Sequence, residues 1–114
     1  MTIIPSEILM TQIKITVVKK FTPKDVIGKD FIRDSGEPIP PCFLEEGKEF
    51  LVDEKMHIQM PEGFCPHAWY GIFKDFWMLK WGGCYEDWTG KGVAYSTCPD
   101  GIRPVCFKLE RIKD

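Results

Sequence analysis

The amino-acid sequence predicts an α+β fold in which an antiparallel sheet of about four to five strands packs on one aromatic-rich helix. Three observations carry that prediction: alternating polarity at residues 12–20, a helical repeat of apolar residues over 66–81, and a turn sequence at 99–101 between two strand-like runs. A short additional helix is expected near the N-terminus. At 114 residues the chain can bury one hydrophobic core, so a single domain over residues 1–114 is predicted.

The first predicted strand leads directly into the short helix. In QIKITVVKK every second residue from Ile13 to Val17 is apolar, which is typical of a half-buried strand. After the strand, Thr22 is a candidate N-cap and Pro23 suits the first helical position. These residues predict a short helix over residues 23–31.

Two segments are predicted to lack regular structure. Residues 1–11 are interpreted as an N-terminal arm, and residues 33–47 as a proline-rich loop, because closely spaced prolines interrupt any helix or strand there. The next stretch, KEFLVD, predicts a strand with Phe50 and Val52 on one face.

The main helix is predicted over residues 66–81, and it is apolar on almost every side. Its core-facing stripe is expected to comprise Ala68, Trp69, Ile72, Phe73, Phe76 and Leu79. Trp77 and Trp81 fall outside that stripe, so the helix carries more apolar surface than one sheet face covers. We therefore expect a homo-oligomer in which Trp77 or Trp81 is buried between subunits.

The C-terminal region predicts a β-hairpin. A three-residue loop at 99–101 would pair Tyr95 with Val105. The predicted buried face comprises Val93, Tyr95, Val105, Phe107 and Leu109. In this register Cys98 and Cys106 would share a face at roughly 13 Å, too far apart for a disulfide, which needs α-carbons within about 7 Å.

Composition excludes several classes of partner. The chain has 15 basic and 17 acidic residues, and its formal net charge is −2, which argues against a nucleic-acid partner because such proteins usually carry a basic face. No apolar run is long enough to cross a membrane, and no basic region precedes the apolar residues at the start of the chain. Five cysteines, an odd number without a CxxC pair, favour free thiols in a reducing cytoplasm over a disulfide scaffold.

The stretch MPEGFCPHAW places Cys65 at the predicted start of the main helix. A thiol at the N-cap would face unpaired backbone amides and the positive end of the helix dipole, which favours the thiolate. His67 could add positive charge or move a proton. The alternative interpretation is that Cys65 is only a small helix cap.

A second group of candidate residues surrounds the predicted turn. Cys98 is a second candidate nucleophile, and Arg103 could hold a carboxylate or phosphate group. Asp100 would orient Arg103 or shape the turn, and Cys42 would join the group if its proline-rich loop folds over the helix start. The catalytic candidates are thus Cys65 and Cys98, and the ligand-binding candidates are Arg103, Asp100, His67 and Cys42.

Three classes of function stay open. The leading hypothesis is a small cytoplasmic protein whose thiol site around Cys65 and Cys98 binds or transforms a small anionic ligand. The second is a non-catalytic oligomeric module whose aromatic helix is an interface. The third is a redox sensor or a metal-binding protein, in which Cys42 or His57 would join Cys65, His67 and Cys98 as ligands for zinc or iron, although the spacing matches no standard zinc motif. The sequence identifies no cofactor.

Several motifs also carry a family resemblance: EEGKEFLVD, MPEGFCPHAW, the glycine pair at 82–83 and CPDGIRPVCFKLERI. Together they resemble a family of small, uncharacterised prokaryotic proteins with a Met-Pro-Glu-Gly-Phe-Cys-Pro helix start and a closing Cys-x-Asp-Gly-x-Arg-Pro-Val hairpin. The similarity runs over about residues 13–112. It implies a shared motif set containing Cys65, Cys98, Asp100 and Arg103, but no activity. The family often has tryptophan where His67 stands here.

Overall fold

The computed structural model of the protein describes residues 12–52 and 58–112. The predicted N-terminal arm and the possible metal ligand His57 lie outside the described residues. Within them, the predicted α+β class is confirmed. The helices are α1 (Pro23–Ile27) and α2 (Pro66–Lys80). The strands are β1 (Gln12–Lys20), β2 (Glu49–Val52), β3 (Cys84–Tyr85), β4 (Gly90–Lys91), β5 (Val93–Thr97) and β6 (Val105–Ile112).

The main sheet has four antiparallel strands in the order β2-β1-β6-β5, and β3 and β4 form a separate two-stranded ribbon. The alternation predicted for β1 is confirmed, since Ile13, Ile15 and Val17 are fully buried. Helix α2 packs across β5, β6 and β1 on this buried face. No helix in the described part of the chain is long and apolar enough to cross a membrane.

Helix α1 is shorter than predicted. It begins as expected, because the Thr22 hydroxyl accepts a hydrogen bond from the Asp25 amide at 3.1 Å and the Asp25 carboxylate accepts one from the Thr22 amide at 2.9 Å. It ends at Ile27, however, because Gly28 adopts a left-handed conformation with φ 81° and closes the helix. The prediction of a helix over residues 23–31 is therefore too long.

Helix α2 agrees with the predicted segment to within one residue. Cys65 is its N-cap, Pro66 is its first residue and Trp81 is its C-cap. The predicted core stripe is buried along most of its length, although Trp69 and Phe73 are only partly buried. The helix end is held by the Arg111 guanidinium, which donates hydrogen bonds to the carbonyls of Leu79 and Gly83.

The predicted hairpin register is wrong. Thr97 pairs with Cys106, and the Cys98 amide donates to the Val105 carbonyl at 3.1 Å, so the connecting loop spans residues 99–104 rather than 99–101. The wider loop is stabilised by Asp100, whose carboxylate accepts hydrogen bonds from two amides further along the loop.

The register change inverts the faces of β5. An odd shift in pairing moves every side chain of a strand to the other face of the sheet. Ala94 and Ser96 are buried, whereas Tyr95, predicted to lie in the core, is 46% exposed. Val93, also predicted to be buried, is only partly so.

All five cysteines are free, so Cys98 and Cys106 are not bonded, as predicted. The predicted reason, a distance along the ladder, does not hold. Cys98 lies opposite Val105, the neighbour of Cys106 in β6, so the two cysteines are not separated by four residues along the ladder.

Candidate functional site

One small cavity of about 60 Å³ collects all six candidate residues from three separate parts of the chain. These residues are Cys42, Cys65, His67, Cys98, Asp100 and Arg103. The proline-rich loop, the start of α2 and the β5–β6 loop each contribute. We call this space the thiol cavity, because three cysteines line it. Leu44, Ala68 and Val105 form its apolar wall.

Cys65 occupies the predicted N-cap position, but its thiol does not act as a cap. Its backbone is extended, with φ −90° and ψ 125°, and its carbonyl accepts the first helical hydrogen bond from Trp69 at 2.9 Å. The Cys65 sulfur makes no hydrogen bond to the helix start, so the predicted contact between the sulfur and the free amides is wrong. The side chain lines the thiol cavity instead.

The first turn of α2 brings unpaired donors to the same place. The backbone N–H groups of His67 and Ala68 have no acceptor within the helix, because the first amides of any α-helix lack one. The Cys65 side chain does not cap them, and both residues line the thiol cavity. The cavity therefore lies at the positive end of a 15-residue helix.

Asp100 organises both the loop and Arg103. Its Oδ1 accepts hydrogen bonds from the amides of Ile102 and Arg103, each at 3.0 Å, and its Oδ2 accepts one from Arg103 Nε at 3.0 Å. Burial opposes the negative charge, but these hydrogen bonds and the guanidinium charge outweigh it, so the pKa of Asp100 lies below its usual value of 3.8. The carboxylate is thus held ionised and in place.

Arg103 also anchors the proline-rich loop. Its Nη1 donates to the carbonyl of Pro40 at 2.5 Å, and on the same loop Lys20 Nζ donates to the carbonyl of Cys42 at 2.6 Å. These two contacts fold the loop over the start of α2 and bring Cys42 to the cavity. The hydrogen bonds of Arg103 to described residues use Nε and Nη1, which leaves Nη2 for a ligand.

The Cys98 sulfur has a fixed orientation. The Val105 amide donates a hydrogen bond to it at 3.3 Å across the mouth of the hairpin loop. Cys98 is partly buried and packs against the core, as do Cys42 and Cys65. The three thiols of the cavity are therefore all partly shielded and none is part of a disulfide.

The other two cysteines lie outside this cavity. Cys84 belongs to β3 and Cys106 to β6, and both are partly buried. Burial raises the pKa of the Cys106 thiol, which lowers its share of reactive thiolate. These two residues provide internal controls for any measurement on the cavity.

The described residues contain no group of three or more His, Cys, Asp or Glu side chains arranged to hold a metal ion. The cysteines and His67 of the thiol cavity share a space, but they do not form a metal centre. His57, the other ligand considered, lies outside the described residues.

A second and larger depression was not predicted from the sequence. It has a volume of about 420 Å³ and lies where α2, the β3–β4 ribbon and β5 meet. We call it the aromatic groove, because Tyr85, Trp88 and Tyr95 line it. Cys98 is the single described residue common to its lining and that of the thiol cavity.

A buried carboxylate lies in this groove. Asp75 is 2% exposed and accepts hydrogen bonds from the Tyr85 hydroxyl, the Ser96 hydroxyl and Lys74 Nζ, the last at 2.9 Å. Burial opposes its charge, but the three donors prevail and lower the pKa of Asp75. The hydrogen bond to the carboxylate raises the pKa of Tyr85 above its usual 10.0. One signal pointed to Asp75: it is the single acidic residue in the mostly apolar α2.

No protein-family model, curated protein or solved structure matches the chain at a significant level. The family resemblance of the two cysteine-containing motifs accordingly stays a prediction, and the chemistry of the thiol cavity and the aromatic groove is the basis for assigning function.

Proposed function

We propose that the protein binds a small anion in the thiol cavity, where Cys65 and Cys98 supply thiols that can act on it. The observation that carries this proposal is the convergence of three thiols, a partly free guanidinium and a helix N-terminus on one space. Thiols provide nucleophiles, and the cationic groups provide an electrostatic reason for an anion to enter.

The preference for an anion comes from the donors that the cavity gathers. The amides of His67 and Ala68 lie at the positive end of α2, a position suited to binding negative charge. Arg103 adds a positive charge in a planar group that can bind two oxygens at once. Asp100 carries the opposing charge, but three N–H donors already occupy its oxygens. Its charge therefore fixes Arg103 more than it repels a ligand.

The size of the cavity limits the ligand. Its volume of about 60 Å³ compares with the roughly 30 Å³ that one molecule occupies in liquid water. An oxoanion or a short carboxylate fits this space, whereas a nucleotide or a coenzyme does not. The substrate class that follows is a small inorganic anion or a small carboxylate.

We assign separate roles to the residues of the cavity. Cys65 is the candidate nucleophile, because it adjoins the helix N-terminus, and Cys98 is the second thiol. Arg103 holds the anion and Asp100 orients Arg103. His67, which is exposed, can accept a proton from a thiol at the rim. Cys42 lines the cavity on the side of the proline-rich loop. Its distance from a bound anion depends on the hydrogen bonds that hold this loop in place.

Isothermal titration calorimetry with sulfate, phosphate and thiosulfate tests this assignment. We expect one of these anions to bind and Arg103→Lys to weaken its binding by about tenfold, or 1.4 kcal/mol, because lysine lacks the planar fork. Arg33→Lys is the matched control, since Arg33 makes an exposed ion pair with Glu37 away from the cavity. Binding that is absent, or equally affected by both substitutions, would contradict the proposal.

The two cavity thiols are tested by substitution with serine. Cys65→Ser places a residue that favours the N-cap position at the start of α2, so the fold should survive while any reaction between the Cys65 thiol and the bound anion is lost. Cys84→Ser, outside the cavity, should change nothing. The presence of free thiols also leads us to propose a reducing, cytoplasmic location.

The second candidate function is an oligomeric interaction module, and one observation favours it. Trp77 is 44% exposed on α2, where it stacks on Phe73 and contacts Trp81. We propose that Trp77 packs against a second copy of the chain. The indole nitrogen of Trp81 is already buried within the monomer, so Trp77 is the better interface residue. Light scattering that finds a monomer at micromolar concentration would remove this function.

A further inference from the structure

The aromatic groove has the dimensions and lining of a binding site that is independent of the thiol cavity. Its volume of about 420 Å³ falls within the range of about 300–1,000 Å³ that is usual for small-molecule sites. The groove crosses the edge strand β5, so residues from both faces of that strand contribute to it. A ligand there would be considerably larger than one in the thiol cavity.

The aromatic side chains of the groove are exposed yet held in position. Trp88 is 72% exposed and Tyr95 is 46% exposed. The Trp88 ring rests against Tyr85, with 5.1 Å between centroids, and its amide donates to the Tyr85 carbonyl at 3.2 Å. A single exposed aromatic residue is common on protein surfaces, but two of them on one groove, one with a supporting ring, form a preorganised apolar platform.

Among the residues that the structure describes, the polar side of the groove carries no net charge. Its charged lining residues are Asp75 and Lys74, which pair with each other at 2.9 Å. Hydroxyl groups of Tyr85, Ser96 and Thr97 supply further polar atoms. The first two donate to Asp75, so their oxygens retain lone pairs for a ligand, and the Lys74 ammonium retains two hydrogens. The groove thus offers both acceptors and donors without attracting an ion of either sign.

The ring geometry distinguishes between classes of neutral ligand. A flat aromatic ligand binds best between parallel rings, but Tyr85 and Trp88 are inclined at 51° and leave an open platform. The face of an indole carries partial negative charge, which attracts the weakly positive C–H hydrogens of a saturated ring. A pyranose has such hydrogens on one face and hydroxyls around its edge. It therefore matches both the platform and the polar side.

We propose that the aromatic groove binds a neutral saccharide, with the apolar face of one sugar ring on Trp88 and its hydroxyls on Tyr85, Ser96 and Lys74. Tyr95 contacts the sugar from the β5 side. This site goes beyond the function proposed for the thiol cavity, and either can exist without the other, although Cys98 belongs to both linings.

The proposal is tested by adding small ligands to the full chain and following the amide chemical shifts by NMR. The probes are methyl β-glucoside, N-acetylglucosamine, cellobiose and maltose, with p-cresol and indole as aromatic comparisons. We expect at least one saccharide to bind with a millimolar Kd and to shift the amides of Tyr85, Trp88, Tyr95 and Ser96. Trp88→Ala should weaken that binding by at least tenfold.

A matched control separates stacking from a general loss of aromatic surface. Tyr70→Ala removes another exposed aromatic ring, one that does not line the groove, and should leave saccharide binding unchanged. Because Trp88 is mostly exposed, Trp88→Ala should keep the wild-type fold, which the amide spectrum reports directly. The proposal is overturned if no saccharide shifts these amides, if Trp88→Ala and Tyr70→Ala bind the saccharide equally, or if only p-cresol or indole binds.

Discussion

The thiol cavity and the aromatic groove share Cys98, and each contains one carboxylate held by three donors, but the donors come from different places. In the cavity, Asp100 binds two amides and a guanidinium that all lie within three residues of it. In the groove, Asp75 of α2 binds Tyr85 of β3 and Ser96 of β5 as well as its neighbour Lys74. Asp100 therefore shapes one loop, whereas Asp75 connects three elements of the fold.

This difference predicts that removing the two carboxylates has unequal consequences. Asp75→Ala should lower the free energy of unfolding by roughly 3 kcal/mol, because the hydroxyls of Ser96, which is buried, and Tyr85, which is partly buried, lose their acceptor. Asp100→Ala should cost only about 1 kcal/mol, because its partners are partly exposed and can bind water. Urea denaturation of the two variants measures both values. An equal or larger loss for Asp100→Ala would reverse the comparison.

Two glycines, one beside the groove and one in the loop of the thiol cavity, differ in the space available for a side chain. A Cβ on Gly71, where α2 meets the groove, would lie 2.6 Å from Pro99 Cδ and 3.0 Å from the Thr97 carbonyl oxygen. Gly71→Ala should therefore destabilise the protein by about 2 kcal/mol despite the better helix propensity of alanine. Gly101, in the loop of the thiol cavity, has open space around it, so Gly101→Ala should stay within about 0.5 kcal/mol of wild type. Thermal denaturation of both variants checks the contrast.

The anchoring of the proline-rich loop is local to the thiol cavity. Arg103→Ala removes the hydrogen bond to Pro40 and should lower global stability by only about 1 kcal/mol. It should, however, increase the alkylation rate of Cys42 several-fold, since the loop loses a contact that holds it against the cavity. Mass spectrometry of alkylated peptides measures this rate. Arg33→Ala, on the exposed part of the same loop, serves as the control and should leave the alkylation rate of Cys42 unchanged.

The groove and the cavity each contain a carboxylate with a lowered pKa, and the groove also contains Tyr85, whose pKa is raised. Asp75 and Asp100 both have lowered pKa values, so each stabilises the fold above about pH 3.8 and loses that contribution as pH falls through its folded pKa. Tyr85 has a raised pKa, so its contribution is complete below pH 10.0 and is lost as pH rises through the higher folded value. Melting temperatures across this range should show that Tyr85→Phe removes the alkaline loss specific to the groove. The assignment would be contradicted if the melting temperature of Tyr85→Phe fell at high pH as much as that of the wild type.

Features that depend on neighbouring residues could be predicted from the sequence. The buried face of β1 follows from simple alternation, and the position of Cys65 follows from the proline that begins α2. The grouping of Cys98, Asp100 and Arg103 also follows from their closeness in the chain. These signals named Cys65, Cys98, Asp100 and Arg103, whereas Cys42 was included only on the condition that its loop folds over the start of α2.

Features that depend on side-chain contacts rather than on the residue pattern were missed, and each has a physical reason. The exposure of Tyr95 depends on the width of the hairpin loop, which extends past residues 99–101 because the Asp100 side chain accepts hydrogen bonds from the amides of Ile102 and Arg103. The bond between Tyr85 and Asp75 depends on a ribbon of two-residue strands, which are too short to show a period. The contact of Arg103 with Pro40 joins positions 63 residues apart, and no local pattern marks it.

The central claim is that Cys65 and Cys98 face a small anion bound in the thiol cavity. Alkylation of each cysteine by iodoacetamide, followed by mass spectrometry with and without phosphate, sulfate or thiosulfate, tests it most directly. We expect Cys65 and Cys98 to react faster than Cys84 and Cys106 in the free protein, and a bound anion to slow the first pair several-fold while Cys84 is unchanged. Equal reactivity of Cys65 and Cys84, or rates that none of these anions alters, would contradict it.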